Sequence, residues 1–157
     1  VTGLDGGRPL FVRKPEAKFT LANFMRVQLY STIATLKIGM DILEKENVTL
    51  NKLTGHGGLF KTKGVGQKVM AGALGVPVAV METAGEGGPW GMALLAAYMV
   101  NKNDGETLEA YLQNRVFADA REDIVQPDSV DQEGYAAFIE RYKACLPVEQ
   151  AAIDALK

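Results

Sequence analysis

Between Leu50 and Val100 the chain runs twice through the same order of residue types. "LNKLTGHGG" leads through "LFKTKG" into "VGQKVMAGALG", and "VPVAVM" leads through "ETAGEGGPWG" into "WGMALLAAYMV". Each passage goes from a short apolar stretch to a glycine cluster and then to a helix-forming run. A strand that leaves through a helix returns in its original direction, so this order predicts parallel strands and an α/β fold. The first strand is expected to reach about Thr54, and its helix to run from about Val65 to a stop at Gly75. "VPVAVM" is short, β-branched and apolar, with Pro77 near the start where a missing N–H does least harm. The small residues of "WGMALLAAYMV" suit a helix lying close against a sheet.

A long helix is expected before this unit, from about Thr20 to Asn47. Leu21, Phe24, Met25, Leu29, Ile33, Leu36, Met40 and Leu43 recur at spacings of three or four and form one apolar stripe. Thr20 suits the N-cap and Asn47 the C-cap. Upstream, "PLFVRK" alternates as a short edge strand would, between Pro9 and Pro15. Downstream, "GETLEAYLQNRV" reads as a modest amphipathic helix and "FADAREDIVQPDSV" as an acidic connector. "DQEGYAAFIERYKACL" reads as a helix with Tyr135, Phe138, Ile139 and Tyr142 on one face. Only two or three strands are visible, so the sheet is small and covered by helices.

The 157 residues fit one ordinary domain, and 47% apolar with 23% charged residues is a globular composition. A net charge of −2 excludes a nucleic-acid binder that relies on bulk electrostatics, but not a small phosphorylated ligand. The single cysteine, Cys145, permits no internal disulfide and points to a reducing cytoplasm. The longest apolar run falls short of the ~20 residues a membrane span needs. The opening "VTGLDGGRPLFV" lacks an initiator Met and begins in turn-like residues, so an excised piece of a longer chain is expected.

"TGHGGLFKTKGVGQK" holds five glycines and the chain's only histidine. Glycine lets backbone approach a ligand, and a following helix start offers free N–H groups to an anion. The stretch sits where open α/β folds bind ligands, at the carboxyl edge of a strand. Position alone does not choose between a ligand cradle and a turn that does only geometry. Neither the P-loop spacing nor Gly-x-Gly-x-x-Gly is present. "GEGGPWG", Gly85 to Gly91, is a second turn of the same kind, with Pro89 in the first helical turn. Two such turns ending neighbouring parallel strands would face one edge and flank one ligand. The alternative is tight helix–sheet packing, which would account for Gly91, Ala93, Ala96 and Ala97. His56 stands without a second His or a nearby Cys or Asp, so no metal site is assigned. Cys145 has no basic neighbour to activate it. No Asp or Glu stands out as a general base.

The arrangement resembles the C-terminal, nucleotide-binding domain of the FGGY carbohydrate kinases. The residues that carry the likeness are "FTLANFMRVQLYSTIATLKIGMDIL", "GGLFKTKGVGQKVMAGALGVPV", "ETAGEGGPWGMALLAAYMV" and the closing "IVQPDSVDQEGYAAFIERYKAC". "GGLFKTK" is closer to the Gly-Gly-Leu-Pro form of ribulokinases than to the Gly-Gly-Gly-Ala form of many xylulokinases. The resemblance implies a partial actin-like ATPase (ribonuclease H-like) fold, with residues 1–104 an α/β core and residues 105–157 a helical C-terminal extension. It implies a cytoplasmic enzyme that moves the γ-phosphoryl of ATP, with Mg²⁺, to a ketopentose such as ribulose or xylulose.

By that likeness Gly57 and Gly58 pass under the adenosine and α-phosphate, and Leu59, Thr62 and Lys63 lie along the adenine or ribose. "ETAGEGG", with Gly87, walls the nucleotide from the next strand. The catalytic Asp, the phosphate loops and the sugar site belong to parts of the family's enzymes that these residues do not match, so the chain alone is expected to be inactive. His56, Lys61 and Lys63 are not general family features, and Trp90 stands where a small residue is usual. A non-catalytic interaction or assembly module, with purely structural glycines, is the competing reading. A second chain covering the apolar stripe of the long helix would make a homo-oligomer.

Overall fold

A computed structural model describes residues 2–4, 6–82 and 84–156. Thr83 and the side chain of Glu86, both in the second glycine turn, lie outside the described residues, as do Val1 and Asp5 of the opening turn. Helix α1 spans Leu21–Lys45, strand β1 Leu53–Gly55, helix α2 Val65–Leu74 and strand β2 Val78–Met81. Helix α3 follows over Gly87–Asn101, a short α4 over Leu108–Tyr111, strand β3 over Glu122–Val125 and helix α5 over Ser129–Ala155. The chain divides into two compact units. The first holds residues 1–50, 69–75 and 127–157, and the second holds residues 51–68 and 76–126.

The first unit is helical. Thr20 caps α1, its hydroxyl accepting from the Asn23 N–H at 3.2 Å. At the other end Glu46 is the C-cap and Asn47 follows it in a left-handed conformation, φ 58°. Asn47 thus stands one position beyond the expected cap, and the Val48 N–H closes the motif on the Leu43 carbonyl at 3.0 Å. Ile33 and Ala34 of α1, Ala73 of α2, and Tyr135 and Ile139 of α5 form the buried core. Tyr30, Phe138 and Tyr142 pack around it, with ring centroids of Tyr30 and Tyr135 5.0 Å apart. The expected α5 face is thus the one that is buried. The α1 stripe is covered only in its middle, and Leu21, Met25 and Leu36 stay exposed.

Gly72 marks a backbone-level approach of α2 to α5, because a Cβ there would lie 2.9 Å from the Asp131 Cβ. An ion-pair group, Lys37 and Lys143 around Asp41, lies at 2.6 and 3.3 Å. Burial alone would raise the Asp41 carboxyl, but hydrogen bonds and charge from the two ammonium groups outweigh it and hold it below its usual value. Lys143 is correspondingly raised by its bond to Asp41.

"PLFVRK" is not a strand. Its prolines interrupt the pattern of backbone donors, and aromatic contacts organise the segment instead: Phe11, Phe19 and Phe24 stack with centroids 5.5 to 6.2 Å apart.

The second unit holds the sheet, in the order β1-β2-β3. β1 and β2 are parallel, pairing Leu53 with Val78 and Gly55 with Val80. β3 is antiparallel to β2, pairing Val78 with Val125 and Met81 with Glu122. The segment read as an acidic connector therefore supplies a strand. Its acids hid it: Glu122 pairs with Lys52 at 2.6 Å and Asp123 with Lys63 at 3.9 Å, so charge on an edge strand is balanced rather than avoided. The buried Gln67 amide donates to the Asp123 carbonyl at 2.8 Å and to the Val78 carbonyl at 3.3 Å, tying α2 to both strands. "GETLEAYLQNRV" is helical only over α4 and continues as a π-turn, Leu112–Val116.

Helix α3 also departs from its expected close packing. No residue of it is buried, a Cβ on Gly91 would meet nothing within 4 Å, and Met92 and Met99 are about three-quarters exposed. Its large apolar side chains, Leu95 and Val100 among them, stay exposed as well, because no described segment packs over them. What ties down its C-terminal end is Tyr98, stacked 5.4 Å from Tyr111 and donating its hydroxyl to the Glu106 carbonyl at 2.7 Å.

Candidate functional site

Parallel pairing of β1 with β2 brings the ends of both strands to the same edge, so the two glycine-rich turns lie side by side. Each turn contains a single 3-10 turn, Gly58–Phe60 in the first and Ala84–Glu86 in the second. They are joined by backbone: the Gly57 N–H donates to the Ala84 carbonyl at 2.7 Å. Gly57 makes this possible with φ 98°, a conformation that side-chain-bearing residues rarely adopt.

The glycines of this edge fall into three physical classes. Gly55 and Gly66 are required by packing. A Cβ on Gly55 would lie 2.3 Å from the Phe60 ring, and one on Gly66 would lie 2.6 Å from the Leu59 carbonyl oxygen. Gly57 and Gly64 are required by backbone conformation. Gly58 and Gly88 are required by neither: a Cβ on either would meet nothing within 4 Å, and neither has a positive φ. Among the described residues, those two faces are open.

The residues singled out from the sequence separate accordingly. Gly57, Gly58 and Gly87 come together at the seam, where Gly87 packs on His56 with a Cβ-to-Cβ approach that would be 3.1 Å. Leu59 turns to the first turn of α2, against Gly66. Thr62 and Lys63 lie further along the loop, where the Thr62 carbonyl accepts from the Val65 N–H at 3.3 Å. The Lys63 side chain is 90% exposed beside Asp123. Lys61 reaches back to Gly85 of the second turn, 3.4 Å from where a Cβ would stand.

A cavity of about 380 Å³ opens beside the second turn, lined by Met81, Glu82, Trp90, Phe117, Asp119 and Arg121 among others. None of the singled-out glycines lines it. Two features escaped the sequence, the contact of His56 with Gly87 and the open face of Gly88. Both depend on the adjacency of turns about thirty residues apart, and no local spacing encodes that.

Among the described residues no three His, Cys, Asp or Glu side chains gather as a metal site, and no helix is long and apolar enough to cross a membrane. No curated protein and no solved structure matches the chain. The family model for the C-terminal domain of the FGGY family of carbohydrate kinases matches residues 1–100, which include α1, the β1–α2–β2 unit and both glycine turns, and the chain belongs to that family.

Proposed function

We propose that this chain is the C-terminal part of the nucleotide-binding domain of a cytoplasmic, ATP-dependent ketopentose kinase of the ribulokinase or xylulokinase kind. Residues 1–104 carry its α/β core apart from β3, which is supplied by residues 105–157, its C-terminal extension. The observation that supports this reading best is the joined pair of glycine turns, with the Gly57 N–H on the Ala84 carbonyl and the faces of Gly58 and Gly88 open. Such an edge admits a ligand to within contact of backbone on two strands at once, as a nucleotide laid across them requires. Gly57 and Gly58 lie under the adenosine and α-phosphate. Leu59, Thr62 and Lys63 flank the adenine or ribose, and Gly87 walls the opposite side.

ATP supplies the phosphoryl group, and Mg²⁺ the charge neutralisation that phosphoryl transfer needs. No residue of this chain is assigned to the metal. The general base and the sugar-binding residues lie in other parts of the parent enzyme. The 157 residues alone therefore do not phosphorylate a sugar, and turnover of ribulose or xylulose with ATP by this piece would refute that statement. ADP titrated into the full-length parent by calorimetry tests the nucleotide reading: saturable binding is expected, and its absence overturns it.

A further inference from the structure

Neither a nucleotide role nor any other has been given to His56, although it stands at the centre of the edge. It follows buried Gly55, the last residue of β1, and precedes Gly57, whose N–H joins the two turns. Its ring is held against the second turn: a Cβ on Gly87 would lie 3.1 Å from the His56 Cβ and 3.2 Å from Nδ1. The residue is nonetheless exposed, and its ring nitrogens hydrogen-bond no described residue. Gly58 and Gly88, which like Gly91 further along α3 are explained by neither packing nor backbone conformation, lie two residues beyond His56 on the first turn and one beyond its contact Gly87 on the second. An imidazole held against Gly87, with Gly58 and Gly88 close by in the chain on the two turns, offers a side-chain donor at this edge.

We propose that His56 is a further ligand-contacting residue of this edge, its imidazole N–H donating to a phosphate oxygen of a nucleoside diphosphate that lies over the open faces of Gly58 and Gly88. The inference rests on the nucleotide reading above and adds to it a side chain and the part of the ligand that it meets. The imidazole N–H is a donor, and an anionic oxygen is its strongest kind of acceptor. A hydrogen bond from imidazole to phosphate is of the charge-assisted kind, and its loss is worth roughly a tenfold change in affinity.

The test is calorimetric titration of ADP into the full-length protein, unsubstituted and as His56→Ala, His56→Gln and Gly88→Ala, with the unfolding temperature of each recorded without ligand. His56→Ala is expected to weaken ADP about tenfold, and His56→Gln, which keeps an N–H donor, to lose about threefold or less. Gly88→Ala places a methyl group in open space at a helix start. It should leave the unliganded unfolding temperature unchanged or raised while weakening ADP severalfold. That opposition of stability and affinity is not produced by a merely structural glycine. ADP binding that is unchanged in both His56→Ala and Gly88→Ala overturns the inference and leaves the nucleotide reading standing. Equal loss in the Ala and Gln variants of His56 overturns the donor role. If the unsubstituted protein does not bind ADP, the nucleotide reading itself fails, and this inference with it.

Discussion

The two units of this chain treat glycine and large side chains in opposite ways. The helical unit buries Tyr135 and Ile33 almost completely and surrounds them with further aromatic rings. Its glycine Gly72 is there to let α2 approach α5. In the sheet unit the buried residues are smaller or polar, namely Val78, Ala79, Ala84 and Gln67, with Tyr111 as the large exception. Its glycines are divided among packing, backbone conformation and open faces. The helical unit fills its space with large side chains, whereas the sheet unit leaves the faces of Gly58 and Gly88 open.

The largest effect that would sharpen this contrast is expected in the helical core. Tyr135→Ala should destabilise the protein by about 3–5 kcal/mol, because the ring is fully enclosed and its neighbours cannot collapse onto the space. Urea unfolding followed by circular dichroism measures it, and a loss under about 1 kcal/mol would mean that this core is not tightly packed. Burial also pushes the Tyr135 phenol well above its ordinary value, with the Tyr142 and Tyr30 hydroxyls adding to the effect. Its folded-state proton is held more tightly than the unfolded one. Its contribution to stability is therefore complete below the ordinary tyrosine value near 10 and is lost as pH rises above it.

In the sheet unit Gly55→Ala should cost about 1–3 kcal/mol by driving a methyl group into the Phe60 ring. The same change combined with Phe60→Leu should recover most of the loss, since the obstacle is a side chain. Gly66→Ala meets the Leu59 carbonyl and should not be rescued by any change of side chain at Leu59. A double-mutant cycle on thermal unfolding decides between the two cases.

A comparable but more local loss, about 1–3 kcal/mol, is expected from Gln67→Leu, which leaves the Asp123 and Val78 carbonyls without their amide donor. Hydrogen exchange should then quicken across β3 before it does in β1. Uniform quickening would show that β3 is not held through Gln67. The smallest effect belongs to the half-exposed ion pairs. Asp41→Asn should cost only about 0.5 kcal/mol at neutral pH, as partly solvated pairs do. Because the Asp41 carboxyl is depressed in the fold, that contribution is present above the unfolded carboxylate value near 3.9. It should fade as pH falls through the lower folded value, which acid titration of both variants would show.

Much of this was legible in the residues because it is periodic or local. The spacing of Leu21 through Leu43 gives α1, Thr20 gives its cap, and Gly75 ends α2 with φ 70° and its N–H on the Ala71 carbonyl at 2.9 Å. The β-branched "VPVAVM" gives β2. β3 was not legible, because Glu122 and Asp123 are poor strand formers whose charges are balanced by Lys52 and Lys63, residues more than fifty positions away. The exposure of α3 was not legible either, since small apolar residues read the same whether or not something packs on them.

The sequence by itself determined the α/β order, the parallel unit and the presence of two glycine turns, because strand and helix periodicities are properties of neighbouring residues. Tertiary structure alone decided what the glycines are for. Whether a missing Cβ makes room for Phe60, permits φ 98° at Gly57 or leaves Gly58 and Gly88 open depends on atoms brought in by other segments. His56 shows the same division: the chain places it among glycines, and only the pairing of β1 with β2 sets its ring against Gly87.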